Sequence, residues 1–298
     1  MPTSRRRFLA ASAATALSSL TAQAATTAGS LNDHEICVFT KPFNSLTFRQ
    51  LAKKTADIGF DGIEAPVRPH GNIEPKNVQE QLPKLVEALE EHSLKVTVLT
   101  SDINDPANPV SEQVLRTAAK LGIQHYRMKY FRYDESRPVI GQISNWRAQL
   151  KDLAQMNKDL GITAVYQNHA GRNYFGAAIW DLHRALENIE PEHIGVAYDI
   201  RHATAEAGMS WPVGFQLIRP HIRVVYVKDF VWGEKKPTNV PLGEGRVRPE
   251  FFTMLAQSGF SGPVSLHEEY LDHRKPELVP EHWSAIANDL KTLKSLLK

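Results

Sequence analysis

Along most of the chain, short apolar runs alternate with longer stretches whose apolar residues recur at helical spacing. The runs Ile36–Phe39, Phe60–Glu64, Lys95–Thr100, Ile123–Tyr130, Ile162–Gln167, Ile194–Asp199, Ile222–Lys228 and Gly262–His267 are short enough to be buried strands. Between them the spacing predicts helices over Phe48–Ile58, Val78–His92, Ser111–Leu121 (with Ser111 as N-cap), Ile143–Leu160, Trp180–Asn188, Trp211–Ile218, Pro249–Gln257 and His282–Leu297. Gly59, Gly122 and Gly161 stand where such helices should stop. Strands alternating with helices eight times over describe a single (β/α)8 barrel. The rival is an open doubly wound sheet, but no Gly-x-Gly-x-x-Gly follows the first strand. No internal linker interrupts the pattern, so residues 35–298 read as one TIM-barrel domain.

Side chains alternate along a strand, so a barrel strand points one set inward and the other at the helices. If the large apolar residues face the helices, Gly62 and Glu64 point inward, as do Arg127 and Lys129, Gln167 and His169, and Ala197 and Asp199. Tyr226 and Lys228 join them, with Ser265, His267 and Glu269, while Tyr126, Met128 and Tyr130 face out. His202 lies one turn beyond its strand. Chemistry in such barrels sits at the carboxyl ends of the strands, where these polar groups would share one mouth. Burying that many charges is costly unless a polar ligand, a metal or mutual pairing compensates. The alternative to a functional site is a self-neutralising network, Lys228 and Lys129 against Asp199, Glu64 and Glu269.

Composition changes the picture little: 42% of residues are hydrophobic and 23% charged, as in ordinary soluble domains. The leader matters more. Ser4-Arg5-Arg6-Arg7-Phe8-Leu9 precedes a mildly apolar Ala/Ser/Leu run and then Ala22-Gln23-Ala24, a small-x-small cleavage site. The arginine pair resembles the twin-arginine export signal, which implies a periplasmic or extracellular protein exported already folded. Residues 1–24 are read as that signal and 25–34 as a linker. Removing Arg5, Arg6 and Arg7 from the 35 basic residues leaves near balance with the 33 acidic ones. A near-neutral chain argues against a nucleic-acid partner. Once the leader is gone, no stretch is apolar and long enough to span a membrane. Cys37 is the only cysteine, so no internal disulfide forms.

Several short motifs occur in one order: Gly59-Phe60-Asp61-Gly62-Ile63-Glu64, Gln167-Asn168-His169, Asp199-x-x-His202, Tyr226-Val227-Lys228-Asp229, Leu242-Gly243-Glu244-Gly245 and Ser265-Leu266-His267. Together with the barrel pattern they resemble the xylose-isomerase-like TIM barrels. These are the sugar phosphate isomerases and epimerases, with hydroxypyruvate isomerase and the ketose 3-epimerases, including exported bacterial members with a twin-arginine signal. The resemblance implies a metal set of Glu on strand five, Asp on strand six, His on strand seven and Glu on strand eight. Asp199 matches. Gln167, Tyr226 and His267 stand where the first Glu, the His and the last Glu are expected. Two carboxylates fewer hold a hard dication less well. The expectation is therefore no metal or a weakly bound Mn²⁺, Mg²⁺ or Zn²⁺ on Asp199, His267 and Gln167. Lys228 would then supply the positive charge. His202 matches a substrate-binding position of the family.

The reaction the resemblance implies is proton movement beside a carbonyl, isomerising or epimerising a small sugar or polyol. It needs a base, an acid and positive charge near the developing oxyanion. Glu64, Asp199 and Glu269 are candidate bases, and Lys228, Lys129 and Arg127 candidate oxyanion stabilisers. Arg127, Lys129, His169 and His202 are candidate substrate contacts. Phosphosugars are largely cytosolic, so an exported enzyme is expected to take an unphosphorylated or oxidised sugar. A lyase on an oxidised sugar starts from the same proton abstraction, and a non-catalytic sugar-binding barrel would keep the same polar mouth.

Overall fold

The computed structural model describes residues 34–298, so the expected signal and all of the linker but His34 lie outside the described residues. Eight parallel strands close into a barrel: β1 Ile36–Phe39, β2 Gly62–Pro66, β3 Lys95–Thr100, β4 His125–Arg127, β5 Thr163–Gln167, β6 Ile194–Asp199, β7 Ile222–Val227 and β10 Val264–Leu266. The ring is completed where β10 pairs with β1, Cys37 lying beside Ser265. Between β7 and β10 an antiparallel hairpin, β8 Asp229–Trp232 and β9 Pro237–Val240, rises from the carboxyl end. The helices are α1 Phe48–Ile58, α2 Val78–Glu90, α3 Pro109–Lys120, α4 Val139–Leu160, α5 Trp180–Leu186, α6 Ile200–Ala207, α7 Trp211–Ile218, α8 Glu250–Gln257 and α9 Val279–Leu296. The expected (β/α)8 barrel is the observed one.

Two apolar layers hold it. Val98, Val165, Ala197, Val224 and Tyr226 fill the barrel interior, and a much larger shell packs the outward strand residues against the helices. Helix ends follow local chemistry. Thr47 caps α1 and exchanges bonds with Gln50 in a capping box, and Gly59 at φ 93° closes the same helix. Ser111 is not the N-cap of α3. Asn108 takes that place by accepting the N–H of Val110, with Pro109 preset for the first turn, and Ser111 is buried inside the helix. Strand β4 stops at Arg127, three residues before the expected end, and α4 begins at Val139 rather than Ile143.

The loop after the hairpin explains one of the short motifs. The buried Asp229 carboxylate accepts the N–H groups of Phe230, Gly243, Gly245 and Val247 at 2.8–3.1 Å. A Cβ on Gly245 would lie 2.2 Å from that carboxylate, so the turn closes only around glycine. Leu242-Gly243-Glu244-Gly245 is thus a wrap around Asp229 that anchors the hairpin.

Candidate active site

Asp199 ends β6 and simultaneously N-caps α6, which places a carboxylate at the barrel mouth and occupies both its oxygens. Oδ1 accepts the N–H of His202 at 3.0 Å; Oδ2 accepts Nε2 of Gln167 at 2.7 Å and lies 3.3 Å from Nζ of Lys228. Asn168 fixes the backbone there, accepting the N–H of Asp199 at 2.8 Å and donating to its carbonyl at 3.0 Å. Lys228, the residue after β7, sits 2.6 Å from Glu269, whose other oxygen is 3.5 Å from Lys41. The Lys228 side chain is 5% exposed and that of Glu269 22%. Burial works against the ammonium, but Asp199 and Glu269 outweigh it, and the Lys228 pKa is pushed up to about 12. Burial likewise opposes the Glu269 charge, yet Lys228, His267 and Lys41 hold that carboxyl well below the usual range.

A second group lies beside the first. Glu64 on β2 is fully buried and accepts the hydroxyls of Thr100 and Ser265, with Nε2 of His267 at 2.8 Å. Burial would raise its pKa, but the neighbouring His267 and Arg127 bring it down to about 2. Arg127 donates to Oε1 of Gln167 at 2.8 Å and to the Tyr130 hydroxyl at 3.1 Å, and Tyr130 also bonds Gln167. The rings of His169 and His202 lie 4.0 Å apart. Burial and then Lys228 lower both pKa values, to about 4 for His169 and well below the ordinary value for His202, so both rings are neutral near pH 7.

The mouth thus brings together Asp199, Lys228, Glu269, Gln167, Arg127, His169 and His202, with Glu64 and His267 paired alongside. Two expectations fail. Lys129 is exposed, because the chain leaves the sheet after Arg127 and parity no longer governs it; the Tyr130 hydroxyl takes the inward place. Glu64 is not an open base, since both oxygens are occupied and no water reaches it. Sequence reasoning faced Tyr130 outward, where the structure turns its hydroxyl to Arg127 and Gln167; it gave Asn168 no role and passed over Lys41 and Arg68. Lys41 and Arg68 were within its reach, because each continues the inward parity of its strand, from Phe39 on β1 and from Glu64 on β2. The self-neutralising network is real for Lys228, Asp199 and Glu269 and does not include Lys129. It leaves Nε of Arg127, Nε2 of His202 and the hydroxyl of Tyr226 buried without partners. Such orphaned groups call for a polar ligand or ordered water.

The donor set does not fit a divalent metal. Asp199, His267 and Gln167 do not converge as free donors: Nε2 of His267 is held by Glu64, and both ends of the Gln167 amide are engaged. The Lys228 ammonium lies against Asp199, where a cation would have to sit. Burial and the Glu64 charge push the Tyr226 phenol pKa well up, which removes it as an anionic ligand. Among the described residues no group of three or more His, Cys, Asp or Glu is placed to hold a metal ion.

A cavity of about 640 Å³ opens at the opposite, amino end of the barrel, where Lys95 pairs with Glu35 and Arg223 with Glu192, both at 2.7 Å. Nε of Arg127, Nε2 of His202 and the Tyr226 hydroxyl, the unpartnered groups that point into the barrel, are at the carboxyl end. Fold and site together define a parallel (β/α)8 barrel with a polar, charge-paired mouth at the carboxyl ends of its strands. The chain belongs to the xylose isomerase-like TIM barrel family, whose model matches residues 52–294. Its fold is similar to that of D-psicose 3-epimerase from Clostridium cellulolyticum H10, solved with D-tagatose (12% identity, 89% of this chain and 99% of that one, TM-score 0.68). It is also similar to 3-keto-D-glucoside 4-epimerase from E. coli (17% identity, 87% and 99%, TM-score 0.64). A third similar fold is the probable 3-DHS dehydratase from Bacillus anthracis (14% identity, 85% and 99%, TM-score 0.63). No curated protein sequence matches this chain. No described helix is long and apolar enough to cross a membrane.

Proposed function

We propose that this protein is an isomerase or epimerase of an unphosphorylated or oxidised sugar, working by proton abstraction beside a carbonyl with Lys228 in place of a metal. The observation that carries the reading is the Lys228 ammonium, buried and clamped between Asp199 and Glu269 at the mouth. A cation fixed in a site of low dielectric is what a developing enediolate oxygen requires. Its raised pKa keeps Lys228 charged, which suits electrostatic stabilisation and not Schiff-base attack.

Glu269 is the base the geometry favours, because Glu64 and Asp199 are fully buried and Glu269 is 22% exposed. Its low pKa is imposed largely by Lys228. When the substrate carbonyl oxygen also takes a hydrogen bond from the fixed ammonium, the carboxylate shares less of that charge, regains basicity and takes the proton from the adjacent carbon. The C–H electrons form the enediolate, whose oxygen Lys228 holds while Asp199 keeps Lys228 in position. Return of a proton to the other face of the same carbon re-forms the carbonyl and gives the epimer; return to the former carbonyl carbon, with the neighbouring hydroxyl passing its proton to the enediolate oxygen, gives the isomer. Neutral His169 and His202 can bond hydroxyls or relay that proton. The similar folds that handle sugars, the two epimerases above, support the substrate class.

A lyase shares the first step and then expels a β-hydroxyl, as the similarity to a probable dehydratase allows. Proton NMR of candidate keto- and aldo-sugars and sugar acids, incubated with the protein in D₂O, separates the readings. Deuterium entering next to the carbonyl with the skeleton intact supports isomerisation or epimerisation. Deuterium with loss of water indicates the lyase. Binding with no exchange in any sugar leaves a sugar-binding barrel and ends the catalytic reading.

A further inference from the structure

Among the described residues, one cation at the mouth is left unused by its carboxylates. Lys41, Arg68, Arg127, Arg201 and Lys228 line it against Glu64, Asp199 and Glu269, with Asp102 and Glu206 acting on Arg68 and Arg201 from further out, and His169 and His202 neutral. Lys228 and Lys41 pair with the acids, and Arg201 bonds Asn239 at 3.0 Å and the His202 ring at 3.0 Å. Arg127 has Gln167 and Tyr130 and stands beside Glu64. Arg68 is different. Among the described residues its guanidinium makes no hydrogen bond and no ion pair, although the side chain is half-buried; it hangs 6.0 Å from the Phe39 ring centroid, with Arg127 5.8 Å from the same ring. Of the acids that act on it, Asp102 is exposed and makes no ion pair with it, and Glu64 is committed to Thr100, Ser265 and His267. Burial and then Arg127 pull the Arg68 pKa down, the mark of a cation short of counter-charge.

Its backbone is fixed for a task. The turn that carries it is a tight loop in which Val67 bridges to Ile73, Ile73 donates to the carbonyl of Pro66 at 3.1 Å, and Asn72 accepts the Thr40 hydroxyl at 2.6 Å. A Cβ on Gly71 would lie 2.6 Å from the Pro66 carbonyl, so the loop closes this far only on glycine. Asn44 ties its tip to the first strand–helix loop by bonding the carbonyl of His70 at 3.0 Å. A rigid loop presenting an unpaired guanidinium is a pre-organised anion subsite.

We propose that Arg68, backed by Arg127 and Lys41, binds the carboxylate of the substrate, which makes the preferred substrate a sugar acid and Arg68 the residue that selects it. The inference rests on the proton-abstraction reading of the same mouth and narrows it to the oxidised class. A planar carboxylate accepts two parallel N–H bonds from the guanidinium fork, which a neutral hydroxymethyl group cannot do. Bound there, the carboxylate gives the Arg68 guanidinium the partner that no described side chain supplies.

The test is calorimetric binding of D-glucuronate, D-galacturonate and D-gluconate against D-glucose, D-galactose and glucose 6-phosphate, with wild type and Arg68→Gln. Arg68→Lys is the control that keeps the charge and loses the fork. The expected result is at least one acid binding wild type about tenfold or more tighter than its neutral counterpart, and that ratio falling about tenfold in Arg68→Gln with the loss on the acid. Arg68→Lys should fall between the two. Equal affinity for acid and neutral sugars, stronger binding of the phosphate, an unchanged ratio in Arg68→Gln, or no acid binding below about 10 mM would overturn the proposal. Thermal unfolding of each variant confirms that it is folded, and Arg68→Lys replaces Arg68→Gln if the latter is not. Acid selectivity through Arg68 without deuterium exchange would keep this inference and defeat the catalytic one. Exchange without acid selectivity would do the reverse.

Discussion

Replacing Lys228 with methionine keeps most of the side-chain volume and removes the charge that the account places at the centre of the mouth. In the folded chain the ammonium titrates near 12 rather than at the ordinary lysine value of 10.5, which corresponds to ~2 kcal/mol of stability. The folded pKa is the raised one, so this contribution is complete below pH 10.5 and is lost as the pH rises through 12. Lys228→Met forfeits it and strands two carboxylates. Asp199 keeps its bonds from Gln167 and His202, while Glu269 keeps Lys41 and is 22% exposed. The total loss should therefore sit at the low end of the range for a broken buried pair, ~3 kcal/mol at pH 7. Near pH 5 the Glu269 carboxyl, freed from Lys228 and left to the upward pull of burial, takes up a proton more readily, and the deficit should shrink. Adding Glu269→Gln to Lys228→Met should restore ~1 kcal/mol, since it removes one uncompensated charge. Urea unfolding at the two pH values measures all of this. A single variant within ~0.5 kcal/mol of wild type at pH 7, or a deficit that is the same at both pH values and unchanged in the double variant, would refute the clamp.

Asp199→Asn should leave the fold intact and turnover at background, because asparagine caps α6 as well as aspartate does but no longer holds Lys228 by charge; full activity in the folded variant would remove Asp199 from the mechanism. Glu64→Gln should cost ~3 kcal/mol at pH 7, from a carboxyl held at about 2 against an ordinary 4.5. That stability is complete above pH 4.5 and is lost as the pH falls through about 2, so the gap between variant and wild type should be about half as large at pH 3 in urea unfolding. For the leader we propose twin-arginine export with cleavage after Ala24: Arg5→Lys with Arg6→Lys should leave uncleaved precursor inside the cell on fractionation, and normal export would point to another route.

Much of this barrel is legible from alternation alone, because a buried strand and an amphipathic helix impose different periods on the same chain. Strands β3 and β6 fall on their expected ends, and inward parity along β5, β6 and β7 leads to Gln167, Asp199 and Lys228. The misses sit just past strand ends, where the sheet no longer enforces parity. It fails at Lys129, two residues past the end of β4, whereas at Lys41 and Arg68, beyond their own strands, it still holds but was not extended that far. Helix α6 escaped notice because it starts on Asp199 itself, with no turn residues between strand and helix. The pairing of Glu64 with His267 joins residues about two hundred positions apart, and no local pattern announces it. Whether a polar mouth is a metal site is settled by which donors are already committed, and that appears only when the side chains are placed.

The central claim is that Lys228, and not a divalent cation, stabilises the oxyanion when a proton leaves the carbon beside a carbonyl. Its direct test is the rate of deuterium incorporation into a substrate sugar, measured for protein dialysed against chelator, with and without added Mn²⁺, for wild type and Lys228→Met. The account predicts an undiminished rate in the chelator-treated wild type, no gain on adding Mn²⁺, and background exchange in folded Lys228→Met. Exchange that chelator abolishes and Mn²⁺ restores, or that survives in Lys228→Met, would contradict it.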